Sequence, residues 1–261
     1  MSTATTTSEL GRLTTKIEGL VARIELRHPP LNVIDVPMME ELAQVLSEIE
    51  ASPDIAIVVF CGEGKAFSAG VEVAAHTPDR VEEMLANFHG VIRSLVATKK
   101  VTISAVHGHC LGGGAELAMV CDIVYTTEDA QWGFPEIKLG CYPPVACAAL
   151  AALVGQKRAS ELILTGHTIS GREAAQIGLA TAAVAGDPNS AVEECVANLL
   201  QLSPAALAVT KKALYAWDSI HFDKGLARAE KIYFEDLMKT SDAHEGIRAF
   251  MEKRAPKWTG R

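Results

Sequence analysis

Two short, largely apolar runs, residues 55–60 and 101–106, constrain the fold more than any other feature of the sequence. Runs of this length and composition are typical of strands buried on both faces, as in parallel sheets covered by helices. A predicted helix at residues 77–97 lies between them, and strands alternate with helices as far as residues 181–185. From residue 189 to about residue 251 the pattern is helical. This order predicts an α/β fold with mainly parallel strands and a helical C-terminal part.

The two ends of the chain carry separate predictions. Residues 1–9 are rich in Ser and Thr, lack the apolar segment of a signal peptide, and are expected to be frayed. Residues 13–17 and 20–26 predict a hairpin that turns at Glu18-Gly19. Near the other end, Gly246 is expected to interrupt the last helix.

The change from alternating to helical pattern divides the chain into a core, residues 1–195, and a helical C-terminal region, residues 196–261. The helices of the second region are amphipathic, so their apolar faces have to be covered. They fold back on the chain's own core or pack on a neighbouring subunit.

Composition narrows the class of protein. The net charge of −8 argues against nucleic acid or an anionic membrane as the main partner. It does not exclude a small anionic ligand, because local hydrogen-bond donors decide such binding. The six cysteines lie in apolar surroundings without paired spacing, which indicates reduced, buried thiols. No apolar run is long enough to span a bilayer, and we expect a cytoplasmic protein.

A run of three glycines, residues 112–114, follows the predicted strand at 101–106 and opens a short apolar helix. The first turn of a helix has free backbone N–H groups and a partial positive charge, so such a turn suits an anion or a developing oxyanion. Glycine also lets the backbone approach a ligand closely. Glu116 follows about one helical turn inside, where it can face what the turn binds.

Two glutamates stand in apolar surroundings. Glu116 lies in the otherwise apolar helix after the glycines, and Glu136 lies between Pro135 and Ile137. Two carboxyl groups beside one pocket disfavour ionising together and can share a proton. Such a pair suits the addition or removal of water, because one group takes a proton while the other gives one. The structural alternative is a buried ion pair for each.

Other motifs offer different functions. The loop at residues 62–70 fails both the dinucleotide and the phosphate-loop patterns, because Ala66 and Phe67 stand where glycine, Ser or Thr is needed. Ser68 loosely resembles the nucleophile of a serine hydrolase. Several histidines without distinctive context supply candidate bases: His107, His109, His167, His221 and His244.

A metal site is the other possibility, with His107, His109 and Cys110 as ligands, but the sequence signals no fourth ligand. We interpret His76 and His89 as structural, although His76 is close enough to the loop at 62–70 to touch a ligand. No metal is expected.

The glycine turn and the two glutamates belong to a longer series of motifs that resembles the crotonase superfamily, the enoyl-CoA hydratases and isomerases. The matches run in order through nearly the whole chain: 64–70 (GKAFSAG), 108–117 (GHCLGGGAEL), 121–122 (CD), 132–140 (WGFPEIKLG), 164–166 (LTG), 174–175 (AA), 178–179 (GL) and 245–246 (EG). The resemblance implies a crotonase-type spiral of ββα units with a helical C-terminal trimerisation region. It also implies a homotrimer or a dimer of trimers.

The resemblance further implies an acyl-CoA thioester as substrate, with CoA as part of the substrate and no separate cofactor. The backbone N–H groups of Val71 and Gly113 would form the oxyanion hole around the thioester oxygen. Glu116 would orient and deprotonate water, and Glu136 would deliver the proton to carbon. Members that hydrate enoyl-CoA carry both glutamates, so their presence favours a hydratase over an isomerase.

Seven more positions are implied to contact the substrate. By the family pattern, the adenine and phosphates of CoA lie near Leu31 and residues 66–71, and Lys253 reaches the 3′-phosphate unless it is simply a solvated helix end. The implied substrate-binding residues are Leu31, Ala66, Ser68, Ala69, Gly70, Gly112 and Lys253.

Two segments depart from the pattern of straight-chain hydratases: residues 72–78 (EVAAHTP) and residues 141–147 (CYPPVAC). Both are similar to the members that hydrate cyclohexa-1,5-diene-1-carbonyl-CoA during degradation of aromatic compounds. The resemblance therefore implies a cyclic dienoyl-CoA as substrate. A straight-chain enoyl-CoA hydratase, an enoyl-CoA isomerase and a non-catalytic binding protein of the same fold remain alternatives.

Overall fold

Two sheets organise the chain in the computed structural model, which describes residues 5–215 and 218–259. The described strands are β1 (Thr5–Glu9), β2 (Leu13–Glu18), β3 (Val21–Leu26), β4 (Ile57–Gly62), β5 (Ala66–Ser68), β6 (Val101–Val106), β7 (His109–Leu111), β8 (Ile123–Thr127), β9 (Gln131–Gly133), β10 (Thr168–Ser170) and β11 (Ala182–Val184). The larger sheet has the order β1-β2-β3-β4-β6-β8-β11, and the smaller sheet has the order β10-β9-β7-β5.

The centre of the larger sheet is formed by the two apolar runs that the sequence singled out. They become β4 and β6, which pair in parallel with Ile57 opposite Val101. Alternate residues of β4 enter two different apolar clusters, with Val58 and Phe60 in one and Ile57 and Val59 in the other. The prediction of strands buried on both faces is therefore confirmed. The predicted hairpin is also present, because β2 and β3 are antiparallel with Glu18 opposite Val21.

Helices cover the larger sheet and extend beyond it. Asp35 caps the first of them, since its carboxylate accepts a hydrogen bond from the amide of Met38. None of the described helices is long and apolar enough to cross a membrane. The described α-helices are α1 (Val36–Ala51), α2 (Val81–Ala97), α3 (Gly113–Met119), α4 (Pro144–Val154), α5 (Gln156–Thr165), α6 (Gly171–Gln176), α7 (Asn189–Leu199), α8 (Pro204–Tyr215), α9 (Asp218–Glu235) and α10 (Ser241–Met251), and the 3-10 helices are Val73–His76, Pro135–Leu139 and Leu237–Lys239.

The smaller sheet holds together the segments that carry the candidate site. Its strands are three residues long, and β7 pairs in parallel with both β5 and β9. The sequence did not predict β5, β7 or β10 as strands, because three residues are too few to show a periodicity. Pairing through this sheet places the turn after β5, the glycines after β7 and Glu136 after β9 at the same edge.

The C-terminal helices fold back on the chain's own core. Helix α9 packs on α4 and α2, and the buried side chains of Leu226, Tyr233 and Ile247 join the main apolar cluster. These three side chains are therefore covered by the chain's own core and not by a neighbouring subunit. The division proposed after residue 195 falls inside α7, which packs on the larger sheet through Val192 and Val196.

Two expectations about the ends of the chain were wrong. Residues 5–9 are not frayed: they form β1, which pairs with β2 along its whole length, as suits a run of β-branched threonines. Residues 1–4 lie outside the described part. Gly246 does not interrupt the last helix, because α10 is continuous from Ser241 to Met251. A Cβ at Gly246 would overlap the carbonyl oxygen of Leu139, so glycine permits a close crossing of two helices.

Candidate active site

A cavity of about 430 Å³ lies where the edge of the smaller sheet meets α2, α3 and the 3-10 helix Pro135–Leu139. Most of its wall is apolar, with Val73, Met84, Leu85 and Phe88 on one side. The wall also contains the predicted site residues Ala69, Gly70, Val71, Gly112, Gly113, Glu116 and Glu136. Segments up to 67 residues apart in sequence thus converge on one cavity.

A second cavity of similar volume, about 440 Å³, lies between α3, α4 and α9 and is lined by Asp122. The carboxylate of Asp122 is already bonded, because it lies 2.7 Å from the Lys211 ammonium and accepts from the amide and hydroxyl of Thr102. A carboxylate held in this way has little capacity left for a reaction, so the first cavity is the better candidate.

Three glycines bring two backbone segments together at the cavity. Gly70 and Gly112 have φ values of +103° and +51°, which side chains other than glycine rarely adopt. A Cβ on Gly113 would lie 2.6 Å from Cγ2 of Val71 and 3.4 Å from its amide nitrogen. Only glycine at position 113 therefore permits this approach of the Val71 and Gly113 backbones.

The amides of Val71 and Gly113 have no acceptor among the described residues. The groups on either side of Val71 are bonded to Ile34, whose amide donates to Gly70 and whose carbonyl accepts from Glu72. The Val71 N–H consequently faces away from that bridge. Gly113 is the first residue of α3, where no intrahelical acceptor exists. Two free N–H groups on adjoining segments of a cavity wall are the elements of an oxyanion hole.

Glu116 is buried in α3, with 3% of the residue exposed. Its Oε1 accepts a hydrogen bond of 2.9 Å from the amide of Ala146, in the first turn of α4. Burial raises the pKa of Glu116, and the amides of Ala146 and Val145 oppose that change by stabilising the carboxylate. The segment at 141–147, which departs from the straight-chain pattern, therefore fixes the orientation of this carboxyl group.

Glu136 lies in the 3-10 helix that follows β9. The residue as a whole is partly exposed, but its Oε2 atom is inaccessible to solvent and has no hydrogen-bond partner among the described residues. Burial raises the pKa of Glu136, and the negative charge of Glu116 raises it further. Both carboxyl groups therefore keep protons to higher pH than an ordinary glutamate, and the two titrate as one coupled pair.

Gly112 has a structural task that sequence reasoning did not assign to it. A Cβ at this position would lie 2.5 Å from Oε1 of Glu136. Glycine thus leaves the space that the carboxyl group of Glu136 occupies. The prediction that Gly112 contacts the substrate stays a prediction, whereas the structure shows that a side chain at this position would collide with Glu136.

Four of the predicted substrate-binding residues lie outside the wall of this cavity. Leu31 is half-buried before the bridge at Ile34, and Ala66 is fully buried in β5. Ser68 is also fully buried: its hydroxyl donates to the carbonyl of Asn32 and accepts from the amide of Gly70. Lys253 is exposed just after α10. Their proposed contacts with CoA stay predictions.

The geometry disfavours the two other chemistries. The hydroxyl of Ser68 is engaged in bonds that shape the turn at Gly70, so it is not available as a nucleophile. The side chain of His221, one of its candidate bases, lies outside the described residues. Within the described part of the chain, no group of three or more His, Cys, Asp or Glu side chains is placed to hold a metal ion.

Two polar side chains in the cavity wall were not predicted as site residues. His89 was interpreted as structural, and Tyr233 was not considered. Both are buried, with 0% and 1% of the residue exposed. The Nε2 atom of His89 and the hydroxyl of Tyr233 have no hydrogen-bond partner among the described residues. Tyr233 is in α9, far along the sequence, and no local pattern marks it as part of the site.

Comparison with known proteins agrees with this geometry. Residues 16–261 match the family described as enoyl-CoA hydratase/isomerase. The chain is 34% identical over 245 residues to a cyclohexa-1,5-dienecarbonyl-CoA hydratase of Thauera aromatica, covering 94% of this chain and 95% of the relative. It is 33% identical over 252 residues to a probable enoyl-CoA hydratase of Bacillus subtilis, covering 94% and 97%.

Solved structures give the same result for the fold. An enoyl-CoA hydratase from Mycobacterium avium subsp. paratuberculosis matches with a TM-score of 0.87 and 28% identity, over 96% of this chain and 100% of the other. DspI of Pseudomonas aeruginosa matches with a TM-score of 0.78 and 31% identity, over 97% and 98%. The sheet topology, the converging motifs and the family match over nearly the whole chain agree: this protein belongs to the enoyl-CoA hydratase/isomerase family and has the crotonase fold.

Proposed function

We propose that this protein is a hydro-lyase that adds water to an α,β-unsaturated acyl-CoA thioester. The observation that carries the proposal is the placement of two buried carboxyl groups, Glu116 and Glu136, in one cavity with the free amides of Val71 and Gly113. Water addition needs a group that takes a proton, a group that gives one and a site for the negative charge in between. These four residues provide each of them.

The charge forms on the thioester oxygen. When a hydroxide equivalent adds to the β-carbon, the electrons of the double bond move through the α-carbon to the carbonyl, which becomes an enolate. The Val71 and Gly113 N–H groups are held in place before the reaction, so they stabilise that oxygen without reorganising. Each such donor is worth about 10²–10³-fold in rate.

The contacts of Glu116 and Glu136 indicate which carboxyl group accepts a proton and which donates one. Glu116 takes a proton from water, because the amide of Ala146 orients its carboxyl group and stabilises the ionised form. Glu136 retains its proton because of burial and the neighbouring charge, and it delivers that proton to the α-carbon of the enolate. After one turnover the proton from water resides on Glu116, and exchange within the pair restores the starting state.

We further propose that the acyl group is cyclic, with cyclohexa-1,5-diene-1-carbonyl-CoA as the candidate substrate. The resemblance at residues 72–78 and 141–147 and the name of the Thauera relative support this choice over a straight chain. In the structure both segments adjoin the cavity, where Val73, His76, Tyr142 and Pro143 line it. Degradation of aromatic compounds is the setting that such a substrate implies.

A direct assay tests the reaction. Purified protein is incubated with cyclohexa-1,5-diene-1-carbonyl-CoA and, separately, with crotonyl-CoA, and the product mass is followed. A gain of one water, about 18 Da, is expected with at least one thioester, and faster turnover of the cyclic one supports the finer proposal. No mass gain with any enoyl-CoA would exclude a hydratase. A moved double bond at constant mass, with activity retained in Glu116→Gln, would establish an isomerase instead.

The remaining attributes are also proposals. We propose that the enzyme needs no cofactor beyond the CoA of its substrate, acts in the cytoplasm without nucleic acid as a partner, and assembles as a homotrimer or a dimer of trimers. Turnover is then unaffected by a metal chelator, and light scattering gives a mass three or six times that of the chain, 27.8 kDa.

A further inference from the structure

The wall of the active-site cavity contains polar atoms that the hydration chemistry does not use. His89 on α2 and Tyr233 on α9 both line the cavity. Their neighbours there include Met84, Leu85 and Phe88, which are apolar. Buried polar groups without a partner destabilise a protein, so two of them in one cavity indicate partners that a bound molecule supplies.

The hydrogen bond between Nδ1 of His89 and Glu230 determines whether the free Nε2 atom is a donor or an acceptor. Nδ1 lies 2.7 Å from Oε1 of Glu230, whose two oxygens also accept hydrogen bonds of 2.8 and 2.9 Å from Arg93. Burial lowers the pKa of His89, so the ring is neutral near pH 7. A carboxylate only accepts, so the single ring proton lies on Nδ1. Nε2 therefore presents a lone pair and is a hydrogen-bond acceptor.

Tyr233 supplies the complementary group. Its ring packs edge-on against Tyr142 with centroids 5.2 Å apart, and only 1% of the residue is exposed. The hydroxyl of Tyr142 donates to the carbonyl of Ala229. The hydroxyl of Tyr233 has no hydrogen-bond partner within the described chain, although the thiol of Cys141, a weak acceptor, is close enough to affect its pKa. Burial raises the pKa of Tyr233 far above the working range, so this hydroxyl keeps its proton and can donate it.

We propose that His89 and Tyr233 bind a hydroxyl group on the acyl portion of the substrate, away from the reacting carbons. A hydroxyl donates to Nε2 of His89 and accepts from Tyr233, so it can satisfy both buried atoms. The preferred substrate is then a derivative of the cyclic dienoyl-CoA that carries a hydroxyl group on its ring, and the unsubstituted thioester is the weaker ligand. The inference rests on the proposed function in one respect: the cavity takes the acyl group of a CoA thioester.

Binding of unreactive thioesters tests the inference independently of catalysis. Titration calorimetry compares cyclohexane-1-carbonyl-CoA with its 3-hydroxy and 4-hydroxy derivatives, none of which has a double bond to hydrate. We expect at least one hydroxylated thioester to bind the wild-type protein about 10–100-fold more tightly than the parent. Equal or weaker binding of both derivatives overturns the inference, because the polar atoms are then satisfied by water alone.

Variants assign the preference to the two side chains. His89→Leu and Tyr233→Phe should each reduce the ratio of the two dissociation constants toward one, mainly by weakening the hydroxylated ligand. The matched control is Tyr125→Phe, because Tyr125 lies on β8 outside this cavity, and the ratio should stay as in the wild type. A ratio unchanged in both test variants also overturns the inference. If His89→Leu does not fold, the wild-type ratio and Tyr233→Phe still decide the question.

The two proposals fail in different ways. Absence of any water addition would refute the hydratase and leave the binding preference to be judged on its own. Hydration of crotonyl-CoA together with equal binding of the parent and hydroxylated thioesters would uphold the hydratase and refute the role of His89 and Tyr233.

Discussion

Replacement of Gly112 by alanine should impair catalysis through Glu136 and not only through stability. The backbone at Gly112 has φ +51°, and a Cβ there would lie 2.5 Å from Oε1 of Glu136. Ordinary van der Waals contact begins at 3.4 Å, so the carboxyl group must move by about 0.9 Å, the difference of the two distances. A displacement of about 1 Å in a reacting group can lower the rate by about 100-fold, or roughly 2.7 kcal/mol in the barrier.

The matched control is Gly155→Ala. Gly155 has φ +79°, and the space that a Cβ would take there, at the junction of α4 and α5, is open to a distance of 4 Å. Both variants should lose about 1–3 kcal/mol of folding free energy, since both force alanine into a strained backbone region. Only Gly112→Ala should lose about 100-fold in kcat/KM.

The assay follows the loss of absorbance of the conjugated thioester of crotonyl-CoA, with thermal unfolding measured in parallel. The comparison is made at a temperature where both variants remain folded. Equal activity of the two folded variants would show that the position of the Glu136 carboxyl group does not limit the reaction, and the assigned role of Gly112 would be refuted.

Three further predictions follow from the same contacts. Glu116→Gln should lower kcat about 10²–10⁴-fold and shift the alkaline limb of the pH–rate profile to lower pH, because the pKa of Glu136 falls without the neighbouring charge; an unshifted limb would contradict the coupling. Thermal unfolding should show Glu136→Gln to be more stable than the wild type at alkaline pH but not near pH 4. The reason is that the pKa of Glu136 is raised in the folded protein, so the wild type loses stability as the pH rises from the ordinary carboxyl pKa to the raised one. Gly246→Ala should destabilise the protein by its clash with Leu139, whereas Gly90→Ala, with open space around its Cβ, should stabilise α2 by about 0.4–1 kcal/mol in urea titrations; stabilisation by both would refute the close crossing.

The C-terminal helices matter for the site as much as the glycine turn does. Helix α9 supplies Tyr233 to the cavity and Glu230 to His89, and α10 packs on the 3-10 helices Val73–His76 and Pro135–Leu139. Glu245 in α10 forms ion pairs with Arg248 and Arg254, which hold its pKa well below the usual range. The C-terminal helices are therefore part of the cavity wall.

Local sequence determined the larger part of the fold and marked the candidate catalytic residues. Runs of apolar residues predicted β4 and β6, and the glycines at 112–114 predicted a turn with free amides. Glu116 and Glu136 stood out because a carboxylate among apolar neighbours is rarely placed there without a task. Each of these signals lies within about ten residues of chain, where periodicity and residue type decide the structure.

Tertiary structure alone decided the contacts between distant segments. The bond from His89 to Glu230 joins residues 141 positions apart, and Gly112 meets Glu136 only because β7 and β9 pair in the smaller sheet. Strands of three residues have no detectable period, and the partner of a polar atom depends on how helices pack. The two candidate carboxyl groups are thus recognisable from local sequence, whereas the polar side chains of His89 and Tyr233 join the cavity wall only when the chain has folded.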